Sequence, residues 1–181
     1  MARIVLGAGA SVAVYKAVDL ASKLTQAGHS VRAVLTPRAA KLVSPQLFAA
    51  VTGEPASVDE FAPERRTSMD HIDLATWAEL LLVAPASAGL VARLALGLSD
   101  DLVTTVALAL PAGRPRLASP AMNPHMLASP PVQRNLATLR ADGWTVIEPG
   151  AGHMACGVDG KGRLPEPQEL VRAVAEALAG R

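Results

Sequence analysis

The sequence predicts an α/β fold in which helices cover both faces of one parallel sheet. The chain has 181 residues, a length that suits one domain spanning residues 1–181. Half of its residues are apolar but only 3% are aromatic, so Ala, Val and Leu must build the core. Such a core suits helices packed closely on a sheet of branched residues. Short apolar runs also alternate with helical patterns from the amino terminus onward, as in α/β proteins.

The amino-terminal third predicts a βαβ unit. Residues 3–6 form an apolar run typical of a buried strand, residues 7–11 a tight loop, and residues 12–27 a helix that ends at Gly28. The next strand is predicted at residues 31–35. Because such a crossover joins parallel strands with right-handed geometry, the pattern predicts a Rossmann-like sheet.

The same alternation continues to the carboxyl terminus. Further strands are predicted at residues 80–84, 116–119 and 144–147. Helices are predicted at residues 87–96, 101–110, 133–141 and 167–179, and a short amphipathic helix at residues 72–77. Gly97 and Gly143 are expected to end two of these helices.

Two long segments show no clear periodicity. Residues 56–70 are polar and interrupted by Pro63, and residues 149–165 contain five glycines and Cys156. Loops of this length usually have a function or are disordered. We predict that the second segment is a flexible flap over a site, and the alternative is a surface loop with an incidental thiol.

Charge and composition narrow the function classes. The net charge is +1 and the basic residues are dispersed, so the sequence shows no patch for nucleic acid. The chain enters its first strand at once, without a signal peptide, and its longest apolar run is too short for a membrane span. One cysteine forms no internal disulfide. We therefore expect a cytoplasmic protein with a small-molecule substrate and no metal site.

The predicted strands end in loops suited to a phosphorylated cofactor. In parallel sheets ligands bind beyond the carboxyl ends of strands, here followed by residues 7–11, 36–38, 85–87 and 120–123. Gly9 and Ser11 precede a helix whose dipole favours an anion. A dinucleotide fingerprint would need a third glycine, but Val12 stands at that position, and the acidic residue expected after the second strand is absent. NAD is therefore disfavoured, whereas FMN, which needs no such acid, fits. The alternative is that Gly7 and Gly9 only make a tight turn.

Three residues stand out as candidates for chemistry. His71 is a titratable base, Asn123 a neutral amide and Cys156 the only thiol, and each lies in its own turn-rich segment. Each also has an ordinary explanation: a surface or capping histidine, an Asx turn before a proline, and an inert small residue. The other histidines, at positions 29, 125 and 153, are weaker candidates.

Motifs along nearly the whole chain resemble those of the flavin-dependent cysteine decarboxylases. They are GASVAVYK at residues 9–16, HIDL at 71–74, APASA at 84–88, DLVT at 101–104, PAMNPHM at 120–126 and ACGVDGKGRL at 155–164. The resemblance implies a flavodoxin-like fold and assembly as a homotrimer or a multiple of trimers.

The resemblance also implies a role for individual residues. His71 and Cys156 would be catalytic, Cys156 as the proton donor on the flap, and Asn123 and Met122 would bind substrate. FMN would be held by Gly9, Ser11, Val12, Thr36, Arg38, Ser87, Ala88, Gly89, Leu90 and Ala121.

The reaction implied is decarboxylation of 4′-phosphopantothenoylcysteine to 4′-phosphopantetheine in coenzyme A biosynthesis. Flavin would oxidise the substrate to a thioaldehyde, carbon dioxide would leave, and the flavin would then reduce the product. Family members that stop at an enethiol on a peptide's terminal cysteine need no reducing-step cysteine, so Cys156 favours the coenzyme A role. A non-catalytic flavin-binding regulatory subunit and a flavin prenylation enzyme remain as alternatives. Because the chain stops after its last predicted helix, we expect a stand-alone decarboxylase.

Overall fold

The central sheet has five parallel strands. The computed structural model describes residues 1–63, 67–153 and 157–180. The strands are β1 (Arg3–Ala8), β2 (Ser30–Leu35), β3 (Leu80–Ala86), β4 (Arg116–Pro120) and β5 (Thr145–Val146). Their order is β2-β1-β3-β4-β5, and all neighbours are parallel. This is the flavodoxin-like order, so the fold prediction is confirmed.

Helices cover both faces of the sheet. In chain order they are α1 (Tyr15–Gln26), α2 (Pro45–Thr52), α3 (Asp70–Trp77), α4 (Ala88–Leu96), α5 (Leu102–Ala109), α6 (Pro124–Ala128), α7 (Pro130–Ala141) and α8 (Pro167–Ala179). Helices α1, α2 and α8 pack on one face, and α3, α4, α5 and α7 on the other. Of the helices in the described residues, none has the length and hydropathy to cross a bilayer.

Alternate residues of the inner strands enter two separate cores. In β1, Ile4 and Leu6 pack with the α1 side, while Val5 packs with the α5 side. The same alternation places Leu82 and Val83 of β3 on opposite faces. Because both faces are covered, these strands are continuous apolar runs, which is why the sequence predicts them well.

The first predicted loop begins two residues too early. Gly7 and Ala8 belong to β1, where Gly7 pairs with Val34 on one side and Val83 on the other. A Cβ atom on Gly7 would lie 2.9 Å from Val103 Cγ1. Gly7 therefore makes room for α5 and does not form the turn.

The first predicted helix begins too early for an α-helix. Residues Val12–Val14 form a single 3-10 turn, and α1 starts only at Tyr15. Ser11 caps the 3-10 turn, because its Oγ accepts a hydrogen bond from the Ala13 N–H at 3.4 Å. Gly28, at φ +86°, follows the helix end in the left-handed region, as its sequence position predicts.

The glycine-rich segment forms a hairpin, so its assignment as a loop without secondary structure is wrong. Strands β6 (Gly150–His153) and β7 (Asp159–Arg163) pair antiparallel. The Met122 N–H donates to the Gly162 carbonyl at 3.0 Å, which ties the hairpin to the loop after β4. That the hairpin moves as a flap remains a prediction.

The polar segment before α3 extends the sheet at its edge. The Leu35 N–H donates to the Ser57 carbonyl at 2.9 Å, and the Ser57 N–H donates to the Ala33 carbonyl at 3.0 Å. Helix α3 begins at Asp70, two residues earlier than predicted, so His71 lies inside its first turn. The short helices α2 and α6 were not predicted.

Candidate active site

The loops after β1 and β3 meet where the strand order reverses. The Gly9 N–H donates to the Pro85 carbonyl at 2.9 Å. A Cβ atom on Gly9 would lie 2.6 Å from that oxygen, 2.8 Å from Leu90 Cδ2 and 3.3 Å from the Ser87 nitrogen. Gly9 is therefore required for the two loops to touch. Its own N–H is committed to Pro85 and is therefore not available to an anion.

Other donors lie next to this contact. In residues 1–63, 67–153 and 157–180 no group accepts a hydrogen bond from the Ala10 N–H. The Ser11 hydroxyl and the half-buried Ser87 stand at the starts of the 3-10 turn and of α4, and Ser87 makes no side-chain cap. Ala88 and Gly89 open α4 and Leu90 is buried in its first turn. Two helix starts with hydroxyl and N–H donors make a suitable place for a phosphate.

Five of the predicted site residues line one cleft with a volume of about 320 Å³. They are Ser11, Val12, Ala121, Met122 and Asn123. Ala121 and Met122 are buried, whereas Val12 is 70% exposed at the rim. An apolar wall with a few polar groups is typical of sites for organic ligands. Among the described residues, no group of three His, Cys, Asp or Glu side chains is placed to bind a metal ion.

Asn123 forms the Asx turn that its position before Pro124 suggests. Its Oδ1 accepts a hydrogen bond from the His125 N–H at 2.8 Å and caps α6. This bond fixes the orientation of the amide. The other polar group of the amide, Nδ2, is a hydrogen-bond donor, the type of group that suits an anionic ligand.

Thr36 and Arg38 lie at the end of β2 and do not line the cleft. Thr36 is buried, and its Oγ1 accepts from the Ala39 N–H at 3.1 Å. Its own N–H donates to the Ala8 carbonyl and joins the ends of β1 and β2. Arg38 is exposed and has no ion pair among the described residues.

His71 is paired with a carboxylate outside the cleft. Its Nδ1 lies 2.7 Å from Glu60 Oε2, and about a quarter of each side chain is exposed. His71 is not among the described residues that line the cleft, so one chain does not unite it with Asn123 there. No local pattern indicates the pair, because Glu60 is 11 residues away in a segment without periodicity.

Cys156 lies outside the described residues, as do its neighbours Met154 and Ala155. The hairpin strands on either side do reach the site. His153, a weaker candidate by sequence, lines the cleft and is 72% exposed in its side chain. Its Nδ1 lies 3.4 Å from Asp159 Oδ1 across the hairpin.

Two cations that were not among the predicted site residues also line the cleft. Lys16 Nζ donates to Glu166 Oε1 at 2.6 Å, and Arg163 Nη2 lies 3.6 Å from the same oxygen. The hydrogen bond from Lys16 holds the pKa of Glu166 below its usual value, while burial opposes the shift. Lys161, two residues before Arg163, pairs with Glu148 and lies outside the cleft. The signal that could have identified Lys16 is the presence of a lysine in the largely apolar start of α1.

Curated relatives share most of this chain. The Bacillus subtilis coenzyme A biosynthesis bifunctional protein CoaBC is 43% identical over 176 residues, 97% of this chain and 43% of its own length. The Escherichia coli protein of the same name is 39% identical over 169 residues, 93% of this chain and 41% of its own length. The chain spans about two fifths of the length of these relatives.

Solved structures of similar size share the whole fold. A cysteine-to-serine variant of PPC decarboxylase, complexed with pantothenoylaminoethenethiol, has a TM-score of 0.87 at 29% identity and 98% coverage of both chains. The FMN-dependent cysteine decarboxylase SpaF has a TM-score of 0.82 at 28% identity, again with 98% coverage of both. A family model described as Flavoprotein matches residues 1–179. The chain therefore belongs to the flavoprotein family.

Proposed function

We propose that this protein is an FMN-dependent decarboxylase that converts 4′-phosphopantothenoylcysteine to 4′-phosphopantetheine in the cytoplasm. The observation that carries the proposal is a cleft that joins Ser11 and Val12, after β1, to Ala121, Met122 and Asn123, after β4. The likeness to CoaBC and to a PPC decarboxylase supports this choice of substrate.

The residues present fit FMN. The Ala10 N–H and the hydroxyls of Ser11 and Ser87 supply donors for its phosphate beside two helix starts. Ala121 and Met122 provide an apolar wall for a flat ring system. When bound, FMN supplies the two-electron oxidation that makes loss of carbon dioxide possible, and then returns the electrons to the product.

The residues of the chain bind the substrate and move its protons. Asn123 would donate from Nδ2 to the substrate carboxylate, and a neutral amide does so without the cation that would favour the ionised ground state. The contact of His71 Nδ1 with Glu60 leaves Nε2 to take the proton of the substrate thiol. Cys156 would donate the proton that completes the saturated product.

The position of His71 favours an oligomeric site. Because His71 lies outside the cleft of its own chain, we propose a homotrimer, or a multiple of trimers, in which it reaches the cleft of a neighbouring subunit. The exposed apolar side chains of Val12, Tyr15 and Leu108 are suited to burial between subunits.

The product mass tests this function. Purified protein loaded with FMN is mixed with 4′-phosphopantothenoylcysteine, and a loss of about 44 Da, the mass of carbon dioxide, is expected. A further loss of two hydrogens would identify an enethiol product and the second candidate, an oxidative cysteine decarboxylase like SpaF. Protein that binds FMN but leaves the substrate intact would support a regulatory subunit. Protein that cannot take up FMN would reject all of these functions.

A further inference from the structure

One end of the cleft carries more positive than negative charge. Lys16 and Arg163 both line it, and Glu166 Oε1 lies 2.6 Å from Lys16 Nζ and 3.6 Å from Arg163 Nη2. One carboxylate balances only one of the two cations. Another lining residue, His153, adds no negative charge. This end of the cleft therefore has a net attraction for anions.

Lys16 has hydrogen-bonding capacity beyond its ion pair. Its side chain is only 12% exposed, and an ammonium group has three N–H donors. Among the described residues, Glu166 is the only acceptor of a hydrogen bond from Lys16. Lys16 lines the cleft, so its remaining N–H donors can bind a ligand there.

Arg163 is held in position by the hairpin. Its side chain lies across Gly152, where an added Cβ atom would come within 2.9 Å of Nη1 and 3.4 Å of Cδ. Gly152 has a φ of +140°, and the neighbouring Gly162 is tied to Met122 by a backbone hydrogen bond. The absence of a side chain at Gly152 therefore leaves room for the Arg163 guanidinium at the cleft.

Glu166 Oε1 marks where an anionic oxygen fits. Both cations approach this one oxygen, so their nitrogens are close enough to bind the oxygens of a single phosphate. Glu166 is 59% exposed in its side chain and stands at the start of α8. Its side chain can rotate into solvent, and both Lys16 and Arg163 can then bind a ligand.

We propose that Lys16 and Arg163 bind the terminal phosphate of the substrate while Asn123 binds its carboxylate. This proposal rests on the proposed function and adds the residues that select the phosphorylated substrate. FMN also has a phosphate, but the Ala10 N–H and the Ser11 and Ser87 hydroxyls already provide donors for it.

The test compares two substrates on FMN-loaded protein, 4′-phosphopantothenoylcysteine and pantothenoylcysteine. We expect the wild type to prefer the phosphorylated compound. Lys16→Met and Arg163→Gln should each lower kcat/KM for it by about 10- to 100-fold, mainly through KM, as expected for a lost charge-assisted hydrogen bond. Turnover of pantothenoylcysteine should stay at its wild-type value. The matched control is Lys161→Met, on the same hairpin as Arg163. Lys161 pairs with Glu148 outside the cleft, so this variant should leave kcat/KM for both substrates unchanged.

Three results would overturn the assignment. One is an unchanged preference for the phosphorylated substrate in both variants. Another is an equal loss on both substrates with a normal melting temperature. The third is weaker FMN binding in a fluorescence titration, which would assign the cations to the cofactor's phosphate. A wild-type protein that decarboxylates neither compound would instead reject the proposed function.

Discussion

The contact between His71 and Glu60 gives the imidazole one orientation. With a proton on Nδ1, His71 donates to Glu60 Oε2, 2.7 Å away, and Nε2 is left to act as a base. Glu60→Ala removes the partner, so we expect kcat to fall by about tenfold with little change in KM. Glu60→Gln keeps an acceptor for the Nδ1 proton and should retain more activity than Glu60→Ala. Steady-state kinetics on the FMN-loaded protein measure both parameters.

A surface carboxylate provides the control for these variants. Glu176→Ala, on the exposed side of α8, should leave kcat and KM unchanged. Equal activity of the Gln and Ala variants would contradict an orienting role for Glu60. A lower melting temperature of the Glu60 variants without a change in kcat would also contradict this role.

Under the proposed function, Cys156 would determine which product is released. Cys156→Ser replaces the thiol with a much weaker acid, so we expect decarboxylation to proceed but the final protonation to stall. Mass spectrometry should then find the oxidised product, two hydrogens lighter than 4′-phosphopantetheine. Full conversion to the saturated thiol by this variant would contradict the proton-donor role.

Among individual residues, the sequence indicated those with local causes. Asn123 before Pro124 predicts its own Asx turn, because the hydrogen bond spans only two residues. The pairs of Glu60 with His71 and of Lys16 with Glu166 join residues distant in sequence. No local pattern specifies such pairs, since they depend on how elements pack.

At the scale of elements, the hairpin β6–β7 is the main structure that the sequence did not predict. Its strands contain Gly150, Gly152, Gly160 and Gly162, so they lack the apolar alternation that normally identifies strands. The glycines have a steric cause instead. A Cβ atom on Gly160 would lie 2.7 Å from Pro124 Cγ, so Gly160 lets the hairpin pack against the start of α6, next to Asn123.

A substitution on the hairpin tests this packing. Gly160→Ala should push the hairpin away from Pro124, destabilise the protein by about 1–3 kcal/mol and raise KM for the substrate. Gly150→Ala is the matched control, because its nearest contact would be the Arg163 carbonyl at an ordinary 3.9 Å. Thermal unfolding and kinetics of both variants make the comparison. Equal effects of the two substitutions would show that the contact with Pro124 does not position the hairpin.

For the whole molecule, buried strands made the fold predictable, while the proposed active site depends on contacts that no local pattern specifies. Continuous apolar runs such as Leu80–Ala86 identify central parallel strands, and the crossover rule then orders most of the sheet. The sequence carries no comparable pattern for contacts between subunits. The residues alone therefore identified His71 and Asn123 as candidates, and the structure shows that His71 does not line the cleft that Asn123 lines.

Mixed oligomers test whether the active site is shared between subunits. His71→Asn and Asn123→Asp each remove one essential group, so each variant alone should be inactive. If His71 of one subunit serves the cleft of another, random co-assembly restores both groups in about a quarter of the sites. The two variants are co-expressed with different affinity tags, purified through both tags, and assayed for decarboxylation. If both groups came from the same subunit, every site would carry one defect, and doubly tagged oligomers would remain inactive.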